Sequence, residues 1–188
     1  MPSRVPADVR QNLERVRLLV LDVDGVLTDG TLIYSADGEV RKQFSVRDGL
    51  GIRLLLQAGF QISVITGRAS EAVRTRCEEL GIRGDLIVLG SRDKAADLDR
   101  IESSLEIRDR MEIAAMGDDL PDLPLLARAG FTACPADAAP EVIAASDLVC
   151  GAPGGRGAVR ELAELLLKAQ HKWMEQIDGW LTPGMQRR

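Results

Sequence analysis

Short apolar runs alternate with amphipathic stretches along the chain. Runs at Val16 to Leu21, Gln61 to Ile65, Asp85 to Leu89, Glu112 to Met116, Gly130 to Ala133 and Asp147 to Val149, each bounded by turn-forming residues, predict short strands. Between them, Ser70 to Leu80 gathers Ala72, Val73, Cys77 and Leu80 near one face. Gly157 to Ala169 does the same with Ala158, Val159, Leu162, Leu165, Leu166 and Ala169, so both stretches predict helices packed by one side. Strands alternating with helices predict an α/β fold, a doubly wound, Rossmann-like parallel sheet with helices on both faces.

One stretch breaks the rhythm. Between the first two core strands, Thr31 to Tyr34 and Glu39 to Val46 flank Ser35-Ala36-Asp37-Gly38, which predicts a β-hairpin insertion around a glycine-containing turn. It is too small to be a second domain. Pro6 to Arg15 predicts a short helix, Ala133 to Pro140 an Ala/Pro-rich connector, and no repeat or low-complexity tract is present.

The chain has 188 residues, 45% of them hydrophobic and 28% charged, the composition of an ordinary globular protein with one core, expected to form a single domain over 1–188. Its net charge of −5 and its six aromatic residues argue against a surface for phosphodiester backbones and stacked bases, so nucleic acid is not an expected partner. No apolar run approaches the ~20 residues that span a bilayer, and Met1-Pro2-Ser3-Arg4 leads into charged sequence, so neither a membrane nor secretion is expected; the expectation is cytoplasmic.

Cys77, Cys134 and Cys150 are odd in number and widely spaced, which points to buried or inert thiols and not to a disulfide framework or zinc site. The lone histidine, His171, leaves little for Ser-His or Cys-His catalysis. Any chemistry falls to carboxylates.

In a doubly wound sheet the loops after the strands converge on one crevice. There the chain offers Asp22-Val23-Asp24-Gly25, then Thr66-Gly67-Arg68, then Gly90-Ser91-Arg92-Asp93-Lys94, then Gly117-Asp118-Asp119-Leu120-Pro121-Asp122. Each taken singly is an ordinary turn, cap or solvated lysine; four in order, each after a predicted strand, are not. Converging carboxylates repel one another unless a cation sits among them, and Asp22 and Asp118 are hard-oxygen ligands suited to magnesium beside a substrate phosphate. Thr66 and Lys94 are donors suited to phosphoryl oxygens.

These residues resemble motifs one to four of the haloacid dehalogenase superfamily over about Leu18 to Ala169. The narrower resemblance is to the 3-deoxy-D-manno-octulosonate 8-phosphate phosphatase family. It rests on the runs Asp22 to Gly30, Phe44 to Ile52, Ile65 to Arg68 and Gly154 to Arg160. The resemblance implies that Asp22 attacks phosphorus and that Asp24 protonates the leaving sugar oxygen and then activates water. Magnesium would be held by Asp22, Asp118 and the main-chain carbonyl of Asp24. Thr66 and Lys94 would bind the phosphoryl group, while Asp119 and Asp122 orient water and Lys94.

The family's substrate contacts match Asp24, Lys94, Arg53, Arg68, Arg76 and a loop formed by Ser45, Val46, Arg47, Asp48 and Gly49. Arg74 is a further cation near the second strand. With a hairpin at 31–46 in place of a cap domain, the resemblance implies a homotetramer that completes each site from a neighbour. Gly154-Gly155-Arg156-Gly157 is then either a mobile segment whose Arg156 reaches a neighbour's substrate or a glycine-rich helix start. The implied reaction releases the free sugar acid and phosphate for lipopolysaccharide assembly in a Gram-negative bacterium. Alternatives are a nine-carbon sialic-acid-like sugar phosphate or a non-catalytic oligomerising domain of this fold. A phospho-accepting receiver module would place its acceptor Asp after the third strand and its acidic pair after the first, the reverse of the order here.

Two departures stand apart from the resemblance. Trp173, Ile177 and Trp180 fall at helical spacing in the tail Gln170 to Arg188, a stripe expected to pack against core or a subunit. Pro121 and Pro124 interrupt motif four, with a displacement of Asp119 and Asp122 as the expected consequence.

Overall fold

The computed structural model describes residues 12–34, 36 and 40–181. A helical turn at residues 12–15 (α1) leads into β1, Leu18–Leu21. Strands β4 (Gln61–Thr66), β5 (Ile87–Leu89), β6 (Ile113–Met116), β7 (Phe131–Cys134) and β8 (Leu148–Val149) complete a six-stranded parallel sheet in the order β5-β4-β1-β6-β7-β8. The chain therefore winds outward from β1 to one edge and then restarts on its other side, the topological switch at which α/β sheets bind ligands. All four residues of β1 are buried, as its apolar run on both faces requires.

The strands predicted from the sequence are present with ends shifted by one or two residues. Val16 and Arg17 precede β1, and Asp85 lies in a 3-10 turn, Gly84–Leu86, before β5. Thr66 is the last residue of β4, where a position just after the strand was expected. The N-terminal helix expected at Pro6 to Arg15 lies mostly outside the described residues.

Helices α2 (Val46–Gln57) and α3 (Glu71–Leu80) pack together, and α7 (Ala158–Ala169) lies against α2. Helix α4 (Lys94–Ser104) packs on α5 (Leu123–Leu126), which meets α6 (Pro140–Ala145). A last helix, α8 (Trp173–Leu181), contacts α7. Trp173, the first residue of the expected stripe, packs against the core with the Arg160 and Lys168 cations 5.5 and 5.0 Å from its ring. No described helix is long and apolar enough to cross a membrane.

The insertion is a two-stranded antiparallel hairpin, β2 (Ile33–Tyr34) with β3 (Val40–Arg41). Of its expected turn, only Ala36 lies within the described residues. The second strand is shorter than the predicted Glu39 to Val46, because Ser45 takes over as the N-cap of α2. Its hydroxyl accepts from the Arg47 and Asp48 backbone N–H groups at 3.2 and 3.3 Å, which satisfies two donors that a helix start leaves open. The expected loop Ser45 to Gly49 is therefore a cap followed by a first helical turn.

Asp48, expected to face substrate, is buried. Its carboxylate accepts the Gly157 and Arg160 backbone N–H groups at 3.0 and 2.8 Å and so ties the start of α7 to the start of α2. Gly49 is buried as well, beneath Arg76 and Leu80. Both support the turn from within instead of presenting themselves to a ligand.

Candidate active site

Parallel pairing puts the chemistry-bearing residues on one edge. Leu21 lies opposite Val64 on one side and Met116 on the other, so Asp22, Thr66 and Asp118 all emerge at the carboxyl ends of three adjacent strands. Lys94 arrives from the next crossover as the first residue of α4, capped by Asp93, whose carboxylate accepts from Ala96 N–H at 3.0 Å. These groups, with Asp24, Arg68, Asp119 and Asp122, line a cavity of about 320 Å³. Larger grooves lie elsewhere, one of about 420 Å³ beside Ser103 to Ile107, but they gather no comparable set of reactive groups.

The Lys94 ammonium is the hub. It lies 2.5 Å from Asp22 Oδ1 and 2.5 Å from Asp122 Oδ1, and all three side chains are under 10% exposed. A cation at a helix N-terminus opposes the helix dipole, so this lysine depends on the two carboxylates. Burial works against its charge, but Asp22 and Asp122 outweigh burial and raise its pKa. Asp22 itself is pushed up to about 6, by burial first and by Asp122 second. Asp118 rises to about 7, again by burial first, with Asp22, Asp122 and Asp119 adding repulsion.

Asp22, Asp118 and Asp122 each offer an oxygen within 4.8 Å of the others. Two further features fit a divalent ion here. Burial and mutual repulsion raise Asp22 and Asp118, a cost that a cation among them would offset, and Gly25, at φ +92°, leaves the space that Asp118 fills. A Cβ on Gly25 would overlap the Asp118 carboxylate.

Motif four is held by its own side chains. Asp122 Oδ2 accepts the Asp118 and Asp119 backbone N–H groups at 2.9 and 3.3 Å, and Asp119 caps the short 3-10 turn Leu120–Asp122. Pro121 and Pro124 sit in the first turns of their helices, where no backbone donor is needed, so the expected displacement of Asp119 and Asp122 does not occur. Asp122 also contacts the Lys94 ammonium, and its carboxylate joins the cluster formed with Asp22 and Asp118.

The cavity brings together Asp22, Asp24, Thr66, Arg68, Lys94 and Asp118. It does not take in the other expected positions. Ser45, Val46 and Arg47 sit at the start of α2, with Val46 and Arg47 exposed; Arg53 is exposed further along that helix, and Arg76 lies on α3 against Gly49 and Glu79. Arg156 pairs with Asp29 of its own chain at 3.5 Å. Gly154 and Gly155 pack on the backbone of Gly25, Thr28 and Asp29, and the glycine run leads into α7 with Gly157 as its N-cap.

Lys42 went unnoticed in the sequence. Leaving the hairpin, it pairs with Asp24 Oδ1, while Arg68 Nε stands 3.7 Å from Asp24 Oδ2. No local sequence signal marks it, because its partner lies across the insertion. The three cysteines are buried and free, and burial raises the Cys77 thiol to about 11, well above the range of a reactive thiolate.

No protein-family model matches the chain. Among curated proteins, 3-deoxy-D-manno-octulosonate 8-phosphate phosphatase KdsC of Escherichia coli (strain B / BL21-DE3) is 43% identical over 168 residues, covering 89% of this chain and 88% of that protein. Among solved structures, the 3-deoxy-D-manno-octulosonate 8-phosphate phosphatase of Moraxella catarrhalis, in complex with magnesium ion, phosphate ion and KDO, superposes with a TM-score of 0.88 at 39% identity, covering 92% and 98% of the two chains. A HAD superfamily (subfamily III A) hydrolase from Legionella pneumophila gives 0.87 at 39% identity over 93% and 94%.

Proposed function

The chain belongs to the 3-deoxy-D-manno-octulosonate 8-phosphate phosphatase family of the haloacid dehalogenase superfamily, and from that membership we infer what its own residues do. It is a magnesium-dependent phosphomonoester hydrolase that releases the eight-carbon sugar acid and phosphate, a reaction that serves lipopolysaccharide assembly. The observation that carries this reading is the meeting of Asp22, Lys94, Asp118 and Asp122 in one cavity at the ends of β1 and β6 and the start of α4.

An Asp22 oxygen attacks phosphorus as the ester P–O bond breaks, and Asp24 gives its proton to the departing sugar oxygen. Asp24 then takes a proton from water, whose oxygen attacks phosphorus and breaks the Asp22–phosphorus bond, releasing phosphate. Thr66 and Lys94 hold the phosphoryl oxygens. Magnesium, held by Asp22, Asp118 and the Asp24 carbonyl, supplies the positive charge that offsets the negative charge gathered there. Arg47, Arg53, Arg68 and Arg76, with Ser45 and Val46, are the groups for the sugar acid, Arg68 being the one in the cavity wall. Asp48 and Gly49 support that turn from beneath.

The described residues form one catalytic domain with the hairpin as its cover, and four copies assemble so that neighbours close each cavity. Exposed Ile33, Tyr34 and Val46 on and beside the hairpin support such a covered surface, and light scattering reads the mass of one chain or four. The enzyme works in the cytoplasm, where its three buried free thiols meet no oxidising demand; cell fractionation tests this. Comparing kcat/KM across eight-carbon and nine-carbon sugar-acid phosphates tests the substrate: the eight-carbon ester should lead by at least about tenfold, roughly 1.4 kcal/mol of discrimination. Preference for the nine-carbon ester would overturn it.

The raised carboxyls give a pH signature. Asp22 and Asp118 bind protons more tightly in the folded metal-free protein than at the unfolded value of 3.8, so their stabilising contribution is present at low pH and is lost as pH rises through about 6 and about 7. Magnesium replaces those protons. Its addition should raise Tm by several degrees at about pH 7.5 and far less at about pH 5, where protons occupy the site. An equal rise at both values would contradict the assignment.

A further inference from the structure

Lysine is almost never fully buried without a partner. The Lys42 side chain is 2% exposed although it comes from a small surface insertion, and its partner is the Asp24 carboxylate. Lys42 is well placed to hold that group. Two residues on, Phe44 packs against the core, and one further Ser45 caps α2, so the stem that carries Lys42 is fixed at its base. Arg68 approaches the other Asp24 oxygen from the end of β4, and the carboxylate is thus held from two sides by elements on different parts of the fold.

We propose that Lys42 is a positioning residue: it fixes the orientation of the Asp24 carboxyl group and so couples the hairpin to the proton transfers at the site. This rests on the role given to Asp24 above. That group must serve two oxygens in turn, first the ester oxygen as the P–O bond breaks and then water as it attacks phosphorus. Displacing a reacting group by about 1 Å costs on the order of 10²-fold in rate. Without Lys42, one Asp24 oxygen loses its partner and only the longer Arg68 contact, at 3.7 Å, is left to hold a side chain that is 22% exposed.

The test uses the magnesium-loaded enzyme and p-nitrophenyl phosphate, whose phenolate leaves without a proton from Asp24. Lys42→Met should leave the first half-reaction fast and slow the second about 10- to 100-fold. Rapid mixing then gives a burst of about one nitrophenolate per site followed by slow turnover, with acid-quenched chains carrying a phosphoryl group by mass. With the sugar-acid phosphate, kcat should fall while KM changes little. Asp24→Asn should reproduce this pattern, and Lys42→Arg should restore most of the turnover. If Lys42→Met does not fold, Lys42→Gln, neutral and too short to reach Asp24, should give the same result.

Equal slowing of burst and turnover would overturn the proposal in favour of general damage to the site. Unchanged aryl phosphate hydrolysis with a raised KM for the sugar acid would make Lys42 a substrate contact instead. Loss in Asp24→Asn with no effect in Lys42→Met overturns the inference alone; full turnover in Asp24→Asn brings down the reading of Asp24 with it.

Discussion

Asp22→Asn is expected to fold normally and to lose turnover by about 10⁴- to 10⁶-fold in kcat, the range for removing a covalent nucleophile. The amide has nearly the shape of the carboxylate but attacks phosphorus poorly. Folding should survive because the change removes a charge that burial and Asp122 already disfavour, while Lys94 keeps its bond to Asp122 at 2.5 Å. Metal-free Tm should therefore hold or rise, and the Tm gain from magnesium should shrink as one anionic ligand is lost. Phosphate release measured on purified protein decides the matter. Activity within about tenfold of the parent would remove Asp22 from the centre of the mechanism.

Gly154→Ala is expected to give the largest loss of stability of the changes considered. A Cβ there would overlap the Gly25 carbonyl and crowd the Thr28 carbonyl, and both are backbone atoms of the loop that follows the nucleophile. Neither can swing aside as a side chain would. Either the start of α7 or the loop from Asp22 to Gly30 must move, at a cost of about 2 to 3 kcal/mol, which for a chain of this size lowers Tm by roughly 5–10 °C. Because Gly25 leaves the room that Asp118 fills, kcat should drop as well, by more than about tenfold. Gly84→Ala, whose Cβ meets nothing within 4 Å, is the control and should leave Tm within about 2 °C. A wild-type melting curve for Gly154→Ala would show that the two loops are not packed as described.

How far the site could be read in advance depended on what each residue's position needs. Asp22, Thr66, Lys94 and Asp118 were legible because a parallel sheet brings the ends of its strands to one edge whatever the side chains are, so a polar residue after an apolar run is already placed. The motif-four prolines were misread because their backbone effect depends on which helical position they occupy. Asp48 looked like a ligand contact in a loop. In the folded chain Ser45 starts a helix there, and the first turn of α7 offers Asp48 two backbone donors more than 100 residues away.

The sequence by itself determined the α/β architecture and the identity of the acid, hydroxyl and ammonium groups that would meet. Apolar periodicity and the succession of strands and helices along the chain are local properties, and each is written in the residues that express it. Tertiary structure decided that Lys42 is buried against Asp24, that Asp122 shares Lys94 with Asp22, and that the glycine run before α7 braces the nucleophile loop. Those contacts join residues 18 to 129 positions apart. Nothing in a residue's type or neighbours specifies such a partner; it is chosen when the packed core leaves one place for the buried charge or the close backbone to go.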